Sequence, residues 1–297
     1  MKVCCFGSLN IDRVYALDHI VRPGETISST DYAVHAGGKG LNQAVALSRT
    51  GLDTCHAGKI GPEGLFLRDI LDRAGVDTSR VIVDEHSVTG HAIIQVETSG
   101  QNSILLFGGA NQSITADERR VVWESLPAGS LVLFQNELND TDILIREAHE
   151  RGFKVAFNAA PMNEAAKACP YEYVDFLFVN ETEAEALTGE TTAPRQLEKL
   201  AALCPGIVVL TLGSNGARVA CNGETWSHGI FPVRAVDTTA AGDTYTGFFL
   251  AAYLDSGSIP EAMALAARAS ALTVTRPGAA ESIPTLDEVL HTTLPSD

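Results

Sequence analysis

The stretch Val236–Leu254, VDTTAAGDTYTGFFLAAYL, sets one carboxylate among residues with almost no side chain. Phe248, Phe249, Leu250, Ala252 and Tyr253 mark a buried helix, and Ala240, Ala241 and Gly242 open it. Small residues at a helix start leave backbone N–H groups bare, and the helix dipole adds partial positive charge there. An anion would bind well, yet Asp243 in the same turn would repel a resting phosphate. The two features agree if a phosphoryl group meets an alcohol at this point. The amides would stabilise charge developing on the transferred group, while Asp243 would orient the hydroxyl and accept its proton. The plainer alternative is that Asp243 or Thr238 only caps the helix.

A second stretch, His35–Gly51, reads HAGGKGLNQAVALSRTG and places three glycines around Lys39 at the start of another helix. It is not a P-loop, because Gly40 stands where Ser or Thr would hold magnesium, and the glycines do not fit the dinucleotide spacing. What remains is a small-residue loop with Asn42 and Gln43 in the first helical turn. Such a loop lets a ligand lie against the backbone and meet an amide side chain, or is simply a turn that needs positive φ.

The elements that must position these residues follow from periodicity. KVCCFGSLNID reads as a buried strand ending in a polar loop. RVYALDHIV and ETISSTDYAVHA read as strands flanking a Pro23-Gly24 turn, and TGHAIIQVETSGQNSILLFGGAN as a hairpin turning at Ser99-Gly100. Gly40–Arg49 and EGLFLRDILDRAG read as helices, with the strand DTCHAGKIG between them. From about Asp117 the strands SLVLFQNE, KVAFNAA, DFLFVN and GIVVLTLG alternate with TDILIREAHERG, ETEAEALTG and RQLEKLAAL. Short apolar strands alternating with helices predict an α/β fold with a mostly parallel sheet covered on both faces. Ligands then bind beyond the carboxyl ends of the strands, where Asn10, Asp12, Asn136, Glu137, Asn158, Asn180 and Gly213–Gly216 fall.

Composition narrows the classes. The 297 residues are 45% hydrophobic and 20% charged, which suits a chain with a large core, and are expected to form one domain over 1–297. A net charge of −16 argues against nucleic acid and anionic membrane surfaces as partners. It also requires any phosphate to be held by amides, a metal ion or a few placed basic side chains. Six cysteines without a C-x-x-C pair read as small buried hydrophobes in a reducing compartment. Neither a signal peptide nor a membrane-spanning run is evident, so a cytoplasmic location is expected.

AGGKGLNQAVALSRTG and DTTAAGDTYTG resemble the two signature segments of the ribokinase, or PfkB, family of carbohydrate kinases. GSLNID, RPGET, TGHAIIQV, GGAN, VNETEAE, TLGSNGA and VTRPGAAESIP extend the likeness over nearly the whole chain. The resemblance implies a three-layer α/β/α domain with a small β lid (about 13–36 and 88–107) that closes over the sugar and pairs two subunits into a homodimer. It implies an ATP-dependent kinase of a small sugar, ribose phosphorylated at its 5-hydroxyl, with deoxyribose, another pentose, a ketohexose or a nucleoside as alternatives. A catalytically dead sugar-binding regulator is the alternative of another class, against which Asp243 and the intact TAAGD speak. Asn10, Asp12, Gly38, Lys39, Asn42 and Glu137 would meet the sugar, Asp243 would be the base, and Ala240–Asp243 the anion hole. Asn180 and Glu183 would serve magnesium and phosphate, against the plain reading of Glu183 as an acidic helix start. Thr211, Gly213, Ser214 and Gly216 would lie along ATP, against that of a hairpin turn. A monovalent cation, potassium, would sit among Asp237, Thr239, Thr273, Arg276, Gly278 and Ser282, mostly on backbone carbonyls.

Overall fold

The computed structural model describes residues 1–295. The chain opens with β1 (Val3–Phe6), whose Val3 and Cys5 point to one face of the sheet while Cys4 and Phe6 point to the other. It leaves the sheet at once, and β2 (Asn10–Leu17) and β3 (Asp31–Gly37) already belong to a second, smaller sheet. The expected single strand KVCCFGSLNID is therefore broken at Gly7–Leu9, and Asn10 and Asp12 are residues of the small sheet. The strand expected over ETISSTDYAVHA is likewise shorter, beginning only at Asp31.

Helix α1 (Lys39–Arg49) returns the chain to the main layer, where β4 (Thr54–Ile60), α2 (Leu65–Arg73) and β5 (Asp77–Val83) follow. The hairpin β6 (Gly90–Glu97) and β7 (Asn102–Phe107) completes the small sheet, in the order β3-β2-β6-β7. Then α3 (Ala116–Ser125), β8 (Leu131–Gln135), α4 (Thr141–Glu150), β9 (Lys154–Asn158), α5 (Glu164–Lys167), β10 (Phe176–Asn180), α6 (Glu181–Thr188), α7 (Ala193–Leu203) and β11 (Ile207–Thr211) alternate. The antiparallel β12 (Ala217–Cys221) and β13 (Glu224–His228) add an edge before α8 (Ala241–Ser256), α9 (Ile259–Thr273) and α10 (Leu286–His291).

The main sheet runs β13-β12-β11-β10-β9-β8-β1-β4-β5 and is parallel from β11 to β5. Two apolar clusters cover its faces. One packs α1, α2, α8 and α9 against the sheet through Leu41, Leu67, Phe248, Phe249 and Met263. The other packs α3, α4 and α7 through Trp123, Leu144 and Leu200. This is the three-layer α/β/α arrangement with a separate small β-sheet. From β1 the connection to β4 goes one way and β8 lies on the other, so a crevice opens beyond the carboxyl end of β1. Among the described residues no helix is long and apolar enough to cross a membrane.

Candidate active site

Two helix starts converge on that crevice, and their backbone donors are in opposite states. At α1, Lys39 N–H donates to Glu137 Oε2 at 3.2 Å, Gly40 N–H to Ser8 Oγ at 3.2 Å and Leu41 N–H to the Ser8 carbonyl at 3.0 Å. Its first-turn amides are committed to the protein, so α1 offers no anion hole. Close approach explains the glycines. A Cβ on Gly40 would stand 2.4 Å from Ser8 N, and Gly38, at φ +95°, would place one 2.9 Å from Asn10 N and the Ser8 carbonyl oxygen. The turn reading of this loop holds, since Gly38 needs positive φ, and its backbone is pressed against the Gly7–Asn10 segment of the chain itself.

At α8 the donors are free. Among the described residues the N–H groups of Gly242 and Asp243 have no partner, and no side chain caps the helix. Ala240 holds a left-handed conformation at φ 61°, unusual for a residue with a Cβ and typical of functional sites. Nothing lies within 4 Å of the place a Gly242 Cβ would take, so the helix start faces open space. A cavity of about 250 Å³ stands there, lined by Lys39, Asn158, Asn180, Glu183, Thr211 and the Ala240–Asp243 turn among others.

The Asp243 carboxylate is buried and does not cap its own helix. Its Oδ2 accepts from Asn42 Nδ2 at 2.9 Å and its Oδ1 from Gln43 Nε2 at 2.8 Å. The capping alternative for Asp243 is thereby excluded. The Asn42 Oδ1 atom is buried and unpartnered among the described residues, which leaves it an acceptor for a ligand hydroxyl.

Two further carboxylates, Asp12 and Glu137, lie on the other flank. Burial, with the Glu137 charge added, pushes Asp12 up to about 6. Burial also raises Glu137, against the opposing pull of Lys39 and a hydrogen bond from Ser8. Burial works against the Lys39 ammonium, yet Asp243, Glu137 and Glu183 around it hold its pKa above the ordinary lysine value. Asn10 Oδ1 accepts from Asn111 Nδ2 at 2.8 Å, so its own Nδ2 is what remains for a ligand. Ser8, Gln43 and Asn111 were not among the expected site residues. GSLNID, the NQ dipeptide and GGAN were each visible, but only folding shows which side chains they bring together.

Other expected residues keep structural duties. Asn180 and Glu183 form a reciprocal capping box on α6, with Asn180 Oδ1 accepting from Glu183 N–H at 2.8 Å and Glu183 Oε2 from Asn180 N–H at 2.9 Å. The helix-start reading of Glu183 is thus correct, and the same side chain still lines the cavity. Thr211 lines it too. Gly213, Ser214 and Gly216 form the turn into the antiparallel strand β12, so the hairpin reading holds for them and they are not lining residues.

Asp237 ties two loops together. Its Oδ1 accepts from Thr239 N–H at 2.9 Å and Thr239 Oγ1 at 2.6 Å, and its Oδ2 from Gly278 N–H at 3.0 Å. Burial alone would raise Asp237, but these bonds hold it below the usual carboxylate range. Thr273 Oγ1 is spent on Thr244 and Ala269, Ser282 Oγ on the Ala279 carbonyl, and the Arg276 guanidinium pairs with Glu288 at 2.8 Å. Among the described residues, the backbone oxygens of these loops, Asp237 and the Glu281 carboxylate beside Gly278 remain as oxygen ligands for a cation.

A buried carboxylate held for a hydroxyl, beside bare helix N–H groups and a lysine, defines a phosphoryl-transfer site acting on an alcohol. The comparisons agree. Residues 1–286 match the model of the pfkB family carbohydrate kinases. The ribokinase of Haemophilus influenzae is 36% identical over 96% of both chains, and that of Staphylococcus aureus is 36% identical over 97% of this chain and 98% of its own. The structure of an Arabidopsis thaliana ribokinase complexed with ribose and ATP superposes with a TM-score of 0.86 at 32% identity, covering 97% of each chain. The chain belongs to the PfkB family of carbohydrate kinases, and it is a phosphotransferase acting on a sugar hydroxyl.

Proposed function

We propose that the protein is an ATP-dependent ribose kinase that transfers the γ-phosphoryl group to the sugar 5-hydroxyl. The observation that carries this reading is the Asp243 carboxylate, clamped by Asn42 and Gln43 one residue from the bare Gly242 amide. Full-length similarity to ribokinases, one of them solved with ribose and ATP, supplies the substrates. The sugar lies between the small sheet and α1. Asp12 and Glu137 accept from its hydroxyls, Asn10 donates through Nδ2, and Asn42 Oδ1 accepts from the hydroxyl nearest the reacting centre. As the 5-oxygen bonds to the γ-phosphorus, the bond to the β-bridging oxygen breaks and ADP leaves. The hydroxyl proton passes to Asp243. The Gly242 and Asp243 amides and Lys39 take up the charge developing on the phosphoryl oxygens. Closure of the small sheet over the sugar excludes water as a competing acceptor.

The nucleotide phosphates lie beside Asn180 and Thr211 in the cavity, and the rest of the nucleotide extends beyond the cavity lining toward the turn at 213–216. Among the described residues there is no cluster of three or more His, Cys, Asp or Glu side chains suited to a metal ion. A magnesium ion bound with the nucleotide would neutralise phosphate charge and draw most of its oxygen ligands from phosphates and water, and Glu183, which lines the cavity, would be the carboxylate to hold it. The all-oxygen donor set of the Asp237–Thr239 and 273–282 loops fits a hard monovalent cation, and we assign potassium to it. The aliphatic surface of the small sheet supports a homodimer.

A coupled ADP-release assay over pentoses, hexoses and nucleosides, with sodium, potassium or neither at matched ionic strength, tests the substrate and the cation together. Ribose is expected to give the highest kcat/KM and potassium the faster rate. A higher kcat/KM on deoxyribose, a hexose or a nucleoside overturns the substrate, and equal rates with all salts overturn the cation assignment. Asp243→Asn tests the mechanism. Asn42 can turn its amide to accept from the new Nδ2, so the fold is retained, but no group takes the proton. A loss in kcat of about 10²–10⁴-fold is expected.

A further inference from the structure

The carboxylate that receives the proton is not held by Asn42 and Gln43 alone. The Gln43 Oε1 atom accepts from Gln135 Nε2 at 2.7 Å, and the same Gln135 nitrogen lies 3.6 Å from Cys5 Sγ. Gln43 and Gln135 are both fully buried. A line of polar contacts thus runs from Cys5 on β1 through Gln135 on β8 and Gln43 on α1 to Asp243 on α8, crossing four elements. Room for it is made at Gly7, where a Cβ would stand 2.1 Å from Gln135 Oε1.

A buried glutamine next to a carboxylate has two ways to point its amide, and only one is useful. With Nε2 toward Asp243 it donates. With Oε1 toward Asp243 it sets oxygen against oxygen in a site shielded from water. Gln135 favours the donating state, because its Nε2 takes the Gln43 carbonyl oxygen at 2.7 Å as its short acceptor, with Cys5 Sγ at 3.6 Å as a weaker second one, while its own Oε1 stays unpartnered among the described residues. We propose that Gln43 and Gln135 are positioning residues for phosphoryl transfer. In this relay Gln135 fixes the Gln43 amide, which in turn fixes the Asp243 carboxylate plane with one oxygen toward Gln43 and the other toward Asn42. Neither glutamine lines the cavity; both act through Asp243.

The relay also couples the two substrates' helices. Gln43 follows Asn42 on the sugar-side helix, while Asp243 begins the phosphate-side helix. The helices touch closely, a Cβ on Gly247 of α8 falling 2.5 Å from Ala46 Cβ of α1. A carboxylate referenced to α1 through Gln43 is therefore referenced to the sugar. Burial of Gln43 and Gln135 within the sheet-helix layer costs desolvation of two amides, which an apolar pair of equal size would avoid.

The proposal rests on Asp243 as the proton acceptor, and the test separates the two readings. Gln43→Met and Gln135→Met keep the volume and remove the amides. Misplacement of a reacting group by about 1 Å can cost up to ~10²-fold, so Gln43→Met is expected to lower kcat by roughly 10- to 100-fold. Gln135→Met, two side chains from the reacting atoms, should lower it by about 10-fold. KM for ribose and for ATP should change less than about two-fold in both, which a merely structural role would not spare. In an Asp243→Asn background, where no proton is accepted, Gln43→Met should add less than about three-fold. A folded variant of either glutamine with near wild-type kcat overturns the relay. So does a Gln43→Met loss of the same factor in both backgrounds. Should Gln43→Met fail to fold, Gln135→Met alone decides, by its kcat. If Asp243→Asn itself keeps full kcat, the proton-acceptor reading fails first; if it loses kcat while both glutamine variants keep theirs, only the relay fails.

Discussion

At the scale of single residues, the site sets electrostatic function against stability, and Asp12 shows the sign. Its folded pKa of about 6 lies above the ordinary 3.8, raised by burial and then by Glu137. The fold thus prefers the protonated form. That contribution to stability is complete below about pH 4 and is lost as pH rises through about 6. At neutral pH, above that value, the carboxylate is mostly charged, as the proposed role of accepting from a sugar hydroxyl requires, and the ligand-free protein bears the cost. Asp12→Asn removes the charge and keeps the shape. The ligand-free variant is expected to be more stable than wild type at pH 8, by up to about 3 kcal/mol from a two-unit shift, and equal to it near pH 4. Its KM for the sugar should rise. Thermal melting at the two pH values, with a sugar titration, checks both parts. A variant no more stable at pH 8 would show that Asp12 is not under this strain.

At the scale of elements, two glycines that open the paired helices answer opposite needs. Gly242 faces the cavity with nothing within 4 Å of a Cβ, whereas a Cβ on Gly40 would meet the Gly7–Ser8 backbone at 2.4–2.7 Å. Helix propensity favours alanine over glycine by about 1 kcal/mol at either site. Gly242→Ala should therefore fold at least as well as wild type, yet lose roughly ten-fold or more in kcat/KM, because the methyl fills the place where phosphoryl oxygens meet the amides. Gly40→Ala should instead lose about 1–3 kcal/mol from overpacking against backbone that cannot move aside. Differential scanning calorimetry beside the ADP-release assay separates the pair. The sequence carried both helices, because alanine and glycine runs before apolar periodicity are local signals. It did not carry which helix start is bare. That depends on Ser8 and Glu137 arriving from elsewhere in the chain to occupy the α1 amides. The same reason hid the Gln135–Gln43–Asp243 line, whose members lie 92 and 200 residues apart. Strands β12 and β13 and the long helix α9 also escaped, the first two being short and the last read only as the surroundings of a loop.

At the scale of the molecule, the small sheet exposes more apolar surface than a lid over one sugar requires. Cross-strand partners share a face, so Asp12, His35, Ala92 and Leu106 lie on one side together. Further from the site the same side carries Val14, Ile94 and Ile104 in register, an aliphatic row without charge. Ile104 is 59% exposed and Leu106 47%. The opposite side mixes Arg13 and Gln95 with Tyr15, Tyr32, Ile93 and Leu105. A face with such an aliphatic row is the surface that the proposed homodimer would bury. A net charge of −16 would hold copies apart unless that surface were buried. Replacing Ile94 and Ile104 together by glutamate should leave the three-layer domain folded, since neither side chain belongs to its two apolar clusters. Light scattering should then report a monomer where the wild type is expected to give a dimer, and the sugar KM should rise because an unsupported sheet would close less often over the proposed sugar site. The ATP KM should hold, because the proposed nucleotide site lies outside the small sheet. A double variant that remains dimeric would place the subunit contact elsewhere, and a wild type that is monomeric would leave the aliphatic row to serve closure alone.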